Sequence, residues 1–364
     1  MSDRRPARWL GALAVLALVV AACSSNDDAA SDADDPDETE ITLVQEGSKL
    51  EAIREAGVLK CGTRDALPGF AVLEGGDHVG FDADFCRVIA AAILGDAEAV
   101  EFIDLETEAR FTALQSGEID VLVRNTTFTA GRDGGEGATF LQPNFYDGQG
   151  MMVNADSEFE SLEDMDGTSI CVAAGTTTEG NVASEFERLG LDLIEVLSFS
   201  DTAQLQDAFI QGRCDGWSSD SSQLTGFRSE FPDGPDALRI LPEVFSKEPL
   251  APAVRDGDTD LAQAVNWAVF ATIQAEEFGI DSTNIDDFAD SDDPNIRKFL
   301  GDDIEEGGTF DPGLDLPLDM NKQIISQVGN YGEIFEEHLA PLGLERGENT
   351  LWTEGGLLYA PPYR

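Results

Sequence analysis

Residues 117–132 read Gly-Glu-Ile-Asp-Val-Leu-Val-Arg-Asn-Thr-Thr-Phe-Thr-Ala-Gly-Arg. The apolar run Val121–Val123 has the character of a buried parallel strand, and it empties at once into polar residues. Those residues are Arg124, Asn125, Thr126, Thr127 and Thr129, with Arg132 just beyond. A guanidinium grips a small carboxylate through two parallel hydrogen bonds, and nearby hydroxyls and N–H groups complete the anion's coordination. In an open α/β sheet such ligands sit outside the carboxyl ends of strands. An arginine among threonines in a solvated loop is the plainer reading, and the segment alone leaves both open. A second stretch, Asp215-Gly216-Trp217-Ser218-Ser219-Asp220, repeats the arrangement but ends on an acid rather than a base.

Several elements must position these groups. Lys49–Gly57 reads as a short helix, Val58–Cys61 as a first strand, and Gly62–Phe70 as a loop carrying Pro68 and Gly69. Helical spacing of Phe85, Val88, Ile89 and Ala92 predicts a helix over Asp84–Leu94. Val100–Ile103 and Ile119–Val123 read as strands with a helix, Ala109–Ser116, between them. This alternation predicts a parallel sheet with right-handed crossovers. A second unit follows Gly148–Val153. It has strands at Ser169–Ala173 and Ile194–Phe199, and a helix at Thr202–Ile210. Another helix opens at Gly175-Thr176-Thr177-Thr178-Glu179, where Thr176 and Glu179 match a capping box. The chain then returns through Pro242–Pro249 to a helix over Asp260–Ala275. Two crossings predict a hinge of two strands, near 149–153 and 244–249. The 281–364 stretch is expected to be mostly helical and to pack on the first lobe.

Length and charge narrow the class. At 364 residues the chain suits two domains plus tails, and 42% hydrophobic content supports a packed core. With 72 acidic and 22 basic residues the net charge is −50. Nucleic acid and anionic membrane surfaces are repelled by that field. Only five of the basic residues are Lys. Such a surface stays soluble at high ionic strength, where its self-repulsion is screened, and this suggests a salt-rich habitat.

The N-terminus points outside the cytoplasm. Arg4, Arg5 and Arg8 precede an apolar run, Leu10–Val20, too short for a comfortable membrane span. Val20-Ala21-Ala22-Cys23 then resembles a lipoprotein signal, cleaved before Cys23 and lipidated on its sulfur; a plain signal peptide is the alternative. Residues 1–22 are thus expected to be removed, and 23–48, rich in Asp, Ser and Ala, to be a disordered tether. The other cysteines are Cys61, Cys86, Cys171 and Cys214, an even number that favours disulfides outside the cytoplasm. Three pairings are possible. Chain order favours Cys61–Cys86 and Cys171–Cys214, each worth about 3–4 kcal/mol in the chain-entropy model. No Cys-x-x-Cys exists and the histidines are only His78 and His338, so no metal and no cofactor is expected.

Thr127-x-Thr129-x-x-Arg132 after its strand resembles the ligand loop of bacterial solute-binding proteins that feed polar amino acids to ABC importers. Gly80-Phe81-Asp82-Ala83-Asp84-Phe85-Cys86 and Arg110–Gly117 resemble that family's first and second helices. Asn330–Phe335 and the tail Leu351–Arg364 are similar to the general L-amino-acid-binding subgroup of family 3. The resemblance covers about residues 49–364. It implies a two-lobed α/β clamshell of the type II periplasmic-binding fold, each lobe a mostly parallel sheet flanked by helices, with a two-strand hinge. Lobe 1 would comprise 49–150 and 246–364, the latter with a helical C-terminal extension, and lobe 2 would comprise 151–245.

A zwitterionic α-amino acid needs two opposite charges a few ångströms apart. The family's pattern assigns the carboxylate to Arg132 with Thr127, and the ammonium to Asp220. The Asn125 carbonyl is a second acceptor. Thr176 and Thr177, at a helix N-terminus whose unpaired N–H groups attract anions, would close on the carboxylate. Phe70, Leu67, Leu105, Glu106 and Arg64 are candidate pocket walls, although family members often carry a stacking aromatic near 67–70 where this chain has Leu67 and Gly69. Arg124 stands where simpler members have a small residue, and would select side chains or pair with an acid. The implied partners are an L-amino acid, ABC permease subunits, and a membrane reached through Cys23, the protein itself being monomeric. A dehydratase-like enzyme on this fold and a detached amino-acid sensor are the competing readings. Neither Gly-x-Ser-x-Gly nor a phosphate loop is present to favour the enzyme.

Overall fold

The computed structural model describes residues 48–301 and 310–364. The expected leader, Cys23 and most of the expected tether lie outside the described residues. Among the described residues fifteen strands follow in chain order: β1 Leu59–Thr63, β2 Ala66–Leu67, β3 Ala71–Glu74, β4 Asp77–Val79, β5 Val100–Asp104, β6 Val121–Leu122, β7 Ala138–Phe140, β8 Phe145–Asp147, β9 Gln149–Asn154, β10 Thr168–Ala173, β11 Leu193–Phe199, β12 Gly216–Asp220, β13 Leu238–Ile240, β14 Glu248–Leu250 and β15 Ala253–Arg255. Two five-stranded sheets share one plan, β5-β1-β6-β15-β7 and β11-β10-β12-β9-β13. In each, the first three strands are parallel and the last two run antiparallel to their neighbours. Repetition of the plan places β6 and β12 at equivalent positions, so the two polar strand ends noticed in the sequence are structural counterparts.

The chain passes between the sheets twice, and the passing segments β8 and β14 pair with each other as an antiparallel ribbon. This moves the expected hinge. Residues 149–153 belong to β9, a full member of the second sheet, and the ribbon lies at 145–147 and 248–250. The apolar run Met151–Val153 is fully buried between β12 and β13, which is why it is sheet core and not a crossing.

Local chemistry explains the helices that flank the first sheet. Ser48 caps Lys49–Ala56 by accepting the Glu51 N–H at 3.2 Å, and Gly57 ends it with φ 66°. Phe81–Leu94 is buried along most of its length, with Phe81 and Phe85 packed against Tyr331. Gly80 enters this helix at φ 133°, and a Cβ there would lie 2.3 Å from the Phe70 carbonyl oxygen, so only glycine fits. Thr259–Phe278 is a 20-residue helix buried through Leu261, Val265, Ala268 and Thr272. The segment expected to be a plain loop, 62–70, begins a three-stranded antiparallel sheet of β2, β3 and β4.

The C-terminal segment is less regular than expected. Short helices at Pro294–Phe299, Met320–Gln327 and Tyr331–His338 are joined by 3-10 turns and extended chain. Asn330 and Glu333 form a reciprocal capping box, and the Tyr331 hydroxyl donates to the Asn144 carbonyl at 2.8 Å. Leu339 and Leu342 cover Gly69. Cys61–Cys86 and Cys171–Cys214 are disulfide-bonded, with Cα atoms 6.0 and 5.6 Å apart, each linking a central strand to a neighbouring segment of its own lobe. Among the described residues, no helix is long and apolar enough to cross a membrane.

Candidate functional site

The strand ends of both sheets face one cleft. Its lining includes Asn125, Thr127 and Arg132 from beyond β6, and Ser219 and Asp220 from the end of β12. The space between these walls is about 420 Å³ with its solvent-open mouth included.

Arg132 lies in the short helix Ala130–Gly135, capped by Thr129, whose hydroxyl accepts the Arg132 N–H at 3.2 Å. Its Nη1 donates to the Thr127 carbonyl at 2.9 Å, and the guanidinium sits 5.8 Å from the Phe111 ring centre. Those contacts aim the side chain without neutralising it. Asn125 adopts φ 32°, a region side chains rarely enter. The Asn125 N–H donates to the buried Asp82 carboxylate at 2.7 Å, which holds that strained turn.

Asp220 is 7% exposed and receives a long bond, 3.5 Å, from Asn125 Nδ2 across the cleft. Burial pushes its carboxyl well above the usual range, and Asp147 and Glu248 push the same way while Arg132 opposes them. Asp147 is itself raised to about 6 by burial, despite hydrogen bonds from Ser222 and Gly148. Burial also raises Asp82 to about 7.

The helix Thr177–Leu189 starts in the cleft at the N-cap Thr176. The expected capping box is not formed. The Thr176 hydroxyl donates back to the Ala173 carbonyl at 2.6 Å, and Glu179 instead accepts the Gly175 N–H and the Ser198 hydroxyl. The Thr177 hydroxyl donates to Glu248 at 2.9 Å. Both hydroxyls are therefore engaged, and the first-turn N–H groups of this helix are what the loop offers an anion.

Four of the five expected wall residues lie outside the cleft lining, Arg64 being the exception. Phe70 is 1% exposed and packs edge-on against Phe81 and Phe145 in the first lobe's core, where Leu67 is also buried. Residues 67–70 turn inward because Gly80 and the C-terminal Leu339 and Leu342 close over them. Leu105 packs beside Ile119 and Leu122, outside the cleft lining. Its contribution is the carbonyl, which accepts Arg124 Nε at 2.8 Å. Leu105 and Glu106 both line an adjoining cavity and not the cleft itself.

Other residues in or beside the cleft escaped the sequence reading. Arg110, seen only as part of a helix motif, is 3% exposed, lines the cleft and donates to the Gly175 carbonyl at 3.3 Å. Burial, then Arg132 and Arg64, lower it to about 9. Glu248 is 2% exposed on the ribbon strand β14 and accepts from Thr177, Asn181 and Ser246. Among 72 acids nothing in the sequence marked it; its place between Lys247 and Pro249 in a crossing segment was the only available signal. Arg64 donates to Thr202 at 3.3 Å, so Arg64, Arg110 and Asn125 all bond from the first lobe to the second. The lobes are in contact around the cleft.

Asp84, Glu337 and His338 also gather ligand-type atoms within 4.8 Å. His338 Nε2 is 2.7 Å from one Asp84 oxygen and Arg87 donates to the other at 2.9 Å, an ion-pair cluster tying the C-terminal segment to the first lobe.

Known proteins resemble this chain over most of its length. Residues 59–279 match the model of the bacterial extracellular solute-binding proteins, family 3. The glutamate/glutamine/aspartate/asparagine-binding protein BztA of Rhodobacter capsulatus is 43% identical over 322 residues, 87% of this chain and 94% of that protein. The general L-amino acid-binding periplasmic protein AapJ of Rhizobium johnstonii is 43% identical over 319 residues, 86% of this chain and 92% of that one. Among solved structures, an ABC transporter periplasmic binding protein from Brucella ovis with glutathione bound superposes with a TM-score of 0.83 at 42% identity, covering 88% of this chain and all of that one.

Proposed function

Because the chain belongs to family 3 of the bacterial extracellular solute-binding proteins, we propose that it captures L-α-amino acids outside the cytoplasm and delivers them to an ABC importer permease. The observation that carries this reading is that Arg132 and Asp220, from different lobes, line one cleft. Arg132 takes the ligand carboxylate, helped by Thr127 and the first-turn N–H groups at Thr176 and Thr177. Asp220 takes the ammonium, with the Asn125 carbonyl as second acceptor. Neutralising both ends of a zwitterion in one buried space needs both lobes, so ligand binding favours the shut form. The lobes swing on the ribbon of β8 and β14, whose two short strands are the only segments of paired backbone between the sheets among the described residues. Lipidation of Cys23 holds the body at the outer face of the cell membrane. The protein acts as a monomeric carrier and not as an enzyme, and it returns its ligand unchanged.

Calorimetric titration tests the site. Removing one partner of a buried charge pair costs about 2–5 kcal/mol, so Arg132→Ala and Asp220→Ala should each weaken binding roughly 30- to several-thousand-fold. Near-wild-type affinity in either variant would overturn the assignment. Retention of the protein on cells, and its release to the medium by Cys23→Ala, tests the anchor.

A further inference from the structure

The two ends of a zwitterion leave part of the cleft's charge unused. Four guanidiniums line it, from Arg64, Arg110, Arg124 and Arg132, against a single lining carboxylate, Asp220. Among the described residues none of the four has a carboxylate oxygen within 4.0 Å. Arg64 and Arg124 are 7% and 4% exposed, and buried charges without partners are unfavourable. Arg64 Nε is buried with no hydrogen-bond partner, and its two other nitrogens make only long bonds, 3.4 Å to Asn125 Oδ1 and 3.3 Å to Thr202. Arg124 is held by neutral acceptors, the Leu105 carbonyl at 2.8 Å and Thr107 Oγ1 at 3.1 Å. These bonds orient the guanidinium and leave it without a direct ion pair, Asp82 and Glu106 acting on it only from farther away.

Placement matters as much as number. Arg132 stands at the end of the cleft influenced by Asp220 and Glu248. Arg110 feels Arg132 and Arg64, and Arg124 feels Arg64 and Arg110, so the four cations form one continuous group, of which Arg64 and Arg110 also feel Asp220. Arg64, Arg124 and Thr202 also line the adjoining cavity, into which a ligand side chain would extend. The acids near this end are weak counter-charges. Asp82 already accepts the Asn125 N–H. Of the four acids that line the adjoining cavity, Asp104 meets His78 Nε2 at 2.8 Å, Asp201 caps a helix by accepting the Gln204 N–H at 2.7 Å, and Asp65 and Glu106 are exposed and screened by water.

We propose that Arg64 and Arg124 form a second anion subsite, so that the cleft selects α-amino acids whose side chain ends in a carboxylate over the corresponding amides. The proposal rests on the α-amino-acid reading of the same cleft. A bidentate or paired guanidinium contact to carboxylate distinguishes it from the isosteric amide, which offers one acceptor and no charge.

The test is calorimetric titration of the full chain with L-glutamate, L-glutamine and L-α-aminobutyrate, in the wild type and in Arg124→Gln and Arg64→Gln. The expected result is glutamate tighter than glutamine by about tenfold or more, with that ratio falling towards one in Arg124→Gln. Circular dichroism melting checks that the variants fold; if neither does, the wild-type ratio alone decides. Glutamine binding as tightly as glutamate, or a ratio unchanged in both folded variants, overturns the subsite while leaving the α-amino-acid reading intact. Failure of all three ligands to bind the wild type overturns both.

Discussion

Asp220 is the residue on which pH acts most directly. Burial and the facing carboxylates Asp147 and Glu248 raise its folded value well above 3.8, against the opposing influence of Arg132 and the hydrogen bond from Asn125. Arg64 and Arg110 also face it. A raised acid stabilises the ligand-free fold below its ordinary value, and that contribution is lost as pH rises through the folded value. An incoming ammonium requires the ionised form. Binding should therefore release a proton, and affinity should climb as pH rises from about 4 towards neutrality. Titrations in buffers of different ionisation enthalpy measure the proton count directly; a count of zero near pH 5 would contradict the role given to Asp220. Asp82, raised to about 7, has the same sign in the ligand-free protein. Asp82→Asn should flatten the fall in melting temperature between about pH 4 and 7.

Among the elements, the ribbon strand β14 does more than connect the sheets. Glu248 accepts the Thr177 hydroxyl at 2.9 Å, Asn181 Nδ2 at 2.7 Å and the Ser246 hydroxyl at 2.6 Å, and so ties the ribbon to the start of a cleft-lining helix. Glu248→Ala leaves buried donors unpaired, at about 1–3 kcal/mol for each that water does not reach. We expect urea unfolding to show a loss of about 2–4 kcal/mol, together with weaker amino-acid binding because the helix start loses its anchor. Unchanged stability would mean that water replaces the carboxylate at no cost. The helix itself was legible from Thr176 to Glu179, but its capping was not. Ser198 and the Ala173 carbonyl compete for the two side chains, and both partners are supplied by other strands.

For the whole molecule, a net charge of −50 makes self-repulsion a general destabilising force. The Debye length shrinks from about 8 Å at physiological ionic strength to about 3 Å at 1 M. Melting temperature should accordingly rise from dilute buffer to molar potassium chloride, by several degrees; a melt no lower in dilute buffer would sink this expectation. The positive cleft inside an acidic surface is the exception to the overall charge. Its four arginines are among only 22 basic residues in the chain.

Composition and pattern determined a good deal alone. Strand–helix alternation dictated two parallel-centred sheets, since period and element length follow from local side-chain chemistry. The polar strand ends at Arg124–Arg132 and Ser218–Asp220 were visible as sharp changes from apolar to polar residues. Tertiary structure decided what those signals leave open. It turned Phe70 inward and drew Arg64 and Arg110 to the cleft, because the C-terminal segment and the opposite lobe, remote in sequence, set which face of a loop is covered. It also placed the ribbon between the sheets at 145–147 and 248–250, since strands become sheet or crossing according to the partners that satisfy their backbone, and those partners lie about a hundred residues away.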